Sequence, residues 1–194
     1  MTYRMMMRAA SVAFALTVAT AGVAAAQTAT HGGHGSADTH GADTHGSEAA
    51  IGQPGKPYKV SRTIRISMHE NYYEPESISV SAGETIRFLI KNEGDFVHEF
   101  AIATAEMHKA HAPEMMMMVE HGVLLPDRID LDAAEKMKAS MGHGMHGEGN
   151  SVLVEPGKTG EVIWQFSEAQ NLQFACNVPG HYESGMMGDI KISH

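Results

Sequence analysis

One cysteine, Cys176, stands in the run FACNVPGHYESGMMGDIKIS (residues 174–193), and His181 and Met186 follow it at five-residue intervals. A thiolate, an imidazole and a thioether are ligands that suit a soft, redox-active ion, and copper is the ion they suit best. His98, in GDFVHEF, supplies a second imidazole from far upstream. Two imidazoles and one thiolate in a roughly trigonal plane, with a long axial thioether, make a site that suits neither Cu(I) nor Cu(II) fully, and so eases passage between them. Ligation also keeps the thiolate deprotonated and shields it from disulfide exchange. Taken singly, each residue has a plainer reading. A lone cysteine is a small buried hydrophobe, a strand histidine is a satisfied core polar group, and a methionine fills a gap. The combination His98, Cys176, His181 and Met186 is what points to a metal. Zinc competes for a Cys-His-His set, but a methionine in the fourth place favours copper. A Cys–His nucleophile would need an orienting group and an oxyanion hole, and no motif here supplies them.

A second population of soft ligands lies between residues 103 and 150. Met107, His108 and His111 are followed by Met115 to Met118 and by His121, and MGHGMHG then sets Met141, His143, Met145 and His146 within six residues. On a helix, Met107 faces His111 and Met117 faces His121, so each pair is a candidate for one additional copper ion. About half of these methionines are expected to pack the segment against the rest of the domain. The glycine-separated group at 141–146 has no such use, and capture of soft metal accounts for it better.

The elements that would position these residues follow from pattern. From Tyr58 onward, VSRTIRISM alternates through Ile64, Ile66 and Met68. SISVSAGETIRFLIKN reads as two short strands joined at Ala82-Gly83, and HEFAIA as another. SVLVEPGKTGEVIWQF, LQFAC and MGDIKIS complete about seven strands separated by turn residues. That pattern predicts an all-β, antiparallel sandwich with Greek-key connections. Cys176 would close one strand and Met186 open the last, with Pro179-Gly180 tightening the loop between them. The interrupting segment reads as helical: AEMHKAHA, then a second helix begun by Pro113, then DAAEKMKASM with Asp132 and Glu135 as a capping box.

Residues 1–26 have the basic start, apolar run and small Ala24-Ala25-Ala26 of an exported leader, with cleavage expected before Gln27 and a periplasmic destination. No membrane insertion is expected after cleavage. Residues 27–57 carry a tandem ADTHG repeat and His31, His34, His40 and His45, and read as a disordered, His-rich tail before a domain at 58–194. The formal net charge of −9, which becomes −11 without Arg4 and Arg8, argues against nucleic acid or an anionic membrane as partner. All thirteen histidines and eleven of the fifteen methionines lie beyond the leader, which is the compositional side of the same copper argument.

The Cys-x4-His-x4-Met run with its Gly-Met-x-Gly ending resembles the ligand loop of the cupredoxins, the type 1 copper proteins, over roughly residues 58–102 and 151–194. The resemblance implies a Greek-key cupredoxin β-sandwich with a helical Met/His-rich insertion, one type 1 copper held by His98, Cys176, His181 and Met186, and Met186 in preference to Met187. Many cupredoxins place Asn after the first histidine, where it ties the two ligand strands together; Glu99 stands there in this chain, opposite Asn177. The His-rich leader and Met/His-rich insertion are similar to those of periplasmic copper-tolerance cupredoxins of the CopI type. That likeness implies a copper-homeostasis protein that is no enzyme, with copper ions as partner and electrons accepted from Cu(I). A soluble electron carrier working with a redox partner protein is the second expectation. A cuprous oxidase of the multicopper kind would need His-x-His pairs, which the chain lacks.

Overall fold

The computed structural model describes residues 50–141, 149–168 and 171–193. The leader, the four tail histidines and the side chains of the 141–146 group lie outside those residues. Among the described residues, ten strands form two five-stranded sheets. The first sheet contains β1 (Gly52–Pro54), β8 (Thr159–Phe166), β5 (Thr85–Asn92), β2 (Arg62–His69) and β3 (Tyr72–Glu74), in that order. The second runs β4 (Ser77–Ser81), β10 (Met187–Ser193), β9 (Leu172–Ala175), β6 (His98–Thr104) and β7 (Ser151–Val154). This is the all-β sandwich with a helical insertion that the alternation predicts.

Alternation sets the core. Ile86, Phe88 and Ile90 of β5 and Val162, Trp164 and Phe166 of β8 turn inward and meet Phe100, Ile102 and Phe174 from the other sheet. Tyr73 packs edge-on against Phe174, with ring centroids 5.1 Å apart, and its hydroxyl donates to the Glu99 carbonyl at 2.6 Å. A buried tyrosine thereby satisfies its polar end while bracing the strand that begins at His98.

Four expectations need correction. The sheets are mixed, because β2 pairs with β5 and β4 with β10 in parallel. The Ala82-Gly83 turn joins two strands as expected. It hands the chain from one sheet to the other, with Ala82 N–H donating to Ser193 O and Gly83 N–H to Phe166 O. A strand that changes sheets finds a partner already running its own way, and the crossover permits a parallel pair. The ordered chain also starts earlier than Tyr58: Ile51 is buried, and Gly52–Pro54 pairs with β8, since Ile51 is a large apolar side chain that the polar tail composition masked.

The insertion differs too. Residues Ala105–Glu120 form one helix, α1, that runs through Pro113 instead of restarting there. Thr104 caps it, Oγ1 accepting the Met107 N–H, and it ends in a Schellman turn in which Gly122 N–H reaches Val119 O and Val123 N–H reaches Met118 O. Leu131–Met141 form α2, whose cap is Asp130 (Oδ1 accepting the Ala133 N–H at 2.9 Å) and not Asp132. Met115, Met118, Val123, Leu124 and Met137 form a small second core with Val97, against which Met117 and Val178 also pack. Of the four consecutive methionines, Met115 and Met118 are buried in this core, Met117 packs against it and Met116 is exposed, so packing claims slightly more of them than the expected half.

Candidate metal centre

His98 opens β6 at the end of a loop whose shape Asn92 dictates. The buried Asn92 side chain donates from Nδ2 to Phe96 O (2.7 Å) and Val154 O (2.8 Å) and accepts the Gly94 N–H at Oδ1. Cys176 follows β9 directly, and β6 and β9 are antiparallel neighbours, so the two side chains meet at one end of the second sheet. The loop after Cys176 folds back as a series of tight turns. His181 N–H donates to Val178 O, Ser184 N–H to Gly180 O and Gly185 N–H to Tyr182 O. Gly180 has φ +88°, a conformation that costs other residues and lets the loop reverse immediately before His181. Met186 N–H then donates to His181 O and Cys176 N–H to Met186 O, so the backbone at both ends of the loop is locked together.

The result brings three of the four expected ligands into one cluster. His181 Nδ1 lies 3.4 Å from Cys176 Sγ and 3.2 Å from His98 Nδ1, and His98 Nδ1 is 4.0 Å from Sγ. Among the described residues this is the one group of three or more histidine, cysteine or carboxylate side chains disposed to hold an ion. Around a first-row ion, with nitrogen about 2.0 Å and sulfur about 2.3 Å away, ligand atoms stand roughly 3.3–3.8 Å apart. The observed separations bracket that range, so the donors present fit a single ion without rearrangement of the backbone. Met186 is fully buried beside them, and Met187 is half-buried on the other face. Gly188 completes the ending for a steric reason, since a Cβ there would come within 2.1 Å of the Phe174 ring.

Burial prepares the donors. His98 is held down to about 4, first by desolvation and then by the neighbouring His181, and desolvation also lowers His181. Burial therefore favours the neutral imidazole in both, with a lone pair to offer. Desolvation pushes the Cys176 thiol up to about 12, opposed by the Glu99 N–H that donates to Sγ at 3.3 Å. A thiol this reluctant gives up its proton only to a cation that takes its place.

Glu99 does what the sequence left unassigned. Its Oε2 accepts both the Asn177 N–H (3.2 Å) and Asn177 Nδ2 (2.7 Å), so it ties the two ligand strands as an asparagine would, with a charge added. His111 of α1 brings Nε2 to 3.5 Å from Glu99 Oε1 and Nδ1 to 3.0 Å from Glu114, and is raised to about 10, mainly by Glu114 and then by Glu99. His108, buried one turn back, donates from Nδ1 to Asn177 Oδ1 at 3.1 Å.

Two of the accessory candidates, His108 and His111, are therefore struts that fasten α1 to the ligand strands. Met107 packs on the main core, while His121 is exposed at the end of α1, where its N–H bonds Met117 O. The side chains that shape this end of the sheet and that the sequence did not disclose are Asn92 and Tyr73. Asn92, at a strand end before Gly94, carried a turn signal.

Comparison with known proteins agrees with this geometry. The cupredoxin-like domain family matches residues 49–114. The copper-resistant cuproprotein CopI of Pseudomonas aeruginosa is 42% identical over 153 residues, covering 74% of this chain and 82% of the relative. CopI of Rubrivivax gelatinosus is 35% identical over 160 residues, covering 82% of each. Among solved structures, auracyanin B superposes with a TM-score of 0.53 over 74% of this chain and 97% of its own, at 14% identity, which is a likeness of fold alone.

Proposed function

The chain belongs to the CopI-type cupredoxins, and on that premise we propose that it is a periplasmic copper-binding protein of copper tolerance, holding one copper through His98, Cys176, His181 and Met186. The observation that carries this reading is the convergence of His98 Nδ1, His181 Nδ1 and Cys176 Sγ in a buried cluster that lacks a proton-ready thiol. Copper bound there supplies one-electron exchange between Cu(I) and Cu(II). The protein's own part is to present two neutral imidazoles, to yield the Cys176 proton to solvent on binding, and to hold the Met186 thioether out of water. The Glu99 N–H donates to the sulfur and would steady it as a ligand. The leader-like residues 1–26 support export, and among the described residues no helix is long and apolar enough to cross a membrane. The His-rich tail and the 141–146 group would collect copper for the centre. The role is binding and acceptance of electrons from Cu(I), not turnover of an organic substrate.

A second reading, electron transfer to a partner protein, has one observation in its favour. An apolar groove of about 280 Å³, lined by Phe96, Val119, Leu125, Pro126 and Pro179, opens beside His181. Growth at elevated copper separates the two. Deleting the gene should sensitise cells, wild-type protein should restore growth, and Cys176→Ser should not. Unchanged growth of the deletion strain would favour the carrier.

A further inference from the structure

Histidine ligands are set by two atoms, the one that binds and the one that does not. In His98, Nδ1 faces Cys176 and His181, which leaves Nε2 to carry the hydrogen. The ring is wholly buried, and Nε2 has no hydrogen-bond partner. A buried N–H without an acceptor is costly, and the cost is usually relieved by something nearby. The nearby group is Glu70, in the turn between β2 and β3, whose Oε1 lies 3.9 Å from Nε2. The Asp95 N–H, which donates to the same oxygen at 2.5 Å, aims the Glu70 carboxylate toward the ring. Gly94 keeps the space between them open. A Cβ at that position would stand 2.3 Å from Glu70 Oε1 and 3.0 Å from His98 Nε2.

We propose that Glu70 is a positioning residue of the centre, its carboxylate accepting the His98 Nε2–H when Nδ1 ligates copper. This rests on the ligand set proposed above. An approach of about 1 Å converts the present separation into a charge-assisted hydrogen bond, and the 42% exposed Glu70 side chain has the freedom to make it. A carboxylate behind a ligating imidazole fixes its tautomer and ring orientation and raises its basicity. Its negative charge also favours the more positive oxidation state of the ion, so Glu70 holds the reduction potential down and keeps Cu(II) bound. The Asp95 N–H and Gly94 act through Glu70, one by aiming it and the other by making room.

The test uses the full-length protein loaded with one equivalent of copper, and compares wild type with Glu70→Ala, Glu70→Gln and, as a control, Glu183→Gln. Glu183 is an exposed carboxylate whose charge acts on His181. Chelator competition measures Cu(II) affinity, pulsed EPR the coupling of the remote imidazole nitrogen, and voltammetry the potential. Glu70→Ala should weaken Cu(II) binding about 10- to 100-fold, shift the remote-nitrogen coupling and raise the potential. Glu70→Gln keeps an acceptor oxygen, so it should retain most of the coupling while still raising the potential. Glu183→Gln should leave the coupling as in wild type. Wild-type affinity and coupling in Glu70→Ala, with the thiolate absorption intact, would overturn the role of Glu70 alone. Absence of thiolate absorption in loaded wild type would overturn the ligand set and this inference with it.

Discussion

A carboxylate at position 99, 3% exposed and next to His98, is unfavourable to bury unless its oxygens are matched. Asn177 and His111 match them, and the dependence runs both ways. Replacing Glu99 with alanine strands two buried donors of Asn177, each at a cost on the order of 1–3 kcal/mol. The urea midpoint of copper-free Glu99→Ala should fall accordingly, and an unchanged midpoint would mean that the tie contributes nothing. His111 supplies the pH signature. Its folded value is raised to about 10 from an unfolded value of about 6.5, so protonation favours the native state. The stabilisation is complete below about pH 6.5 and is lost as pH rises through 10. The stability difference between wild type and His111→Gln, measured without copper, should therefore shrink from neutral pH to about pH 10.5. At this scale the approach of His181 to Cys176 was legible, because one short loop holds both. Glu99 was legible only as a departure, because its partners are Asn177, 78 residues further along the chain, and His111 on the insertion helix, and no local pattern reports that.

The insertion helices illustrate how one residue type serves two ends. Four consecutive methionines, Met115 to Met118, look like a soft-metal tract, yet the helix turns Met115 and Met118 inward and leaves Met116 46% exposed. Met118→Ala should cost about 2–5 kcal/mol in copper-free stability, the range for emptying a methionine site in a core. Met116→Ala should change stability by less than about 0.5 kcal/mol. Equal effects in thermal or urea melts would contradict the assignment. The helix itself was legible from its composition, but its continuity was not. Pro113 was a plausible first-turn residue, and only the packing of Met107 and His108 on one side and Met115 and Met118 on the other holds both halves in one rod. The same packing, through Val178 and Val97, makes the small core a wall of the metal centre.

Across the whole molecule, the sandwich brings residues 78 positions apart in the sequence to one end of the second sheet, and copper should bind the folded chain and not the unfolded one. Ligand at a thousand times its dissociation constant stabilises by about 4 kcal/mol, so copper should raise the melting temperature of wild type and leave that of Cys176→Ser nearly unmoved. Period-two alternation made the sandwich legible, whereas the parallel pairing of β2 with β5 was not, because alternation says which face a residue takes and nothing about which strand lies beside it. The pairing matters for function, since it places the β2–β3 turn, and with it Glu70, beside the loop that leads to His98. The most direct test of the centre is X-ray absorption at the copper edge of protein loaded with one equivalent of copper. A shell of one short sulfur and two imidazole nitrogens is predicted, with the sulfur lost in Cys176→Ser. A shell of nitrogen and oxygen only, identical in wild type and variant, would contradict it.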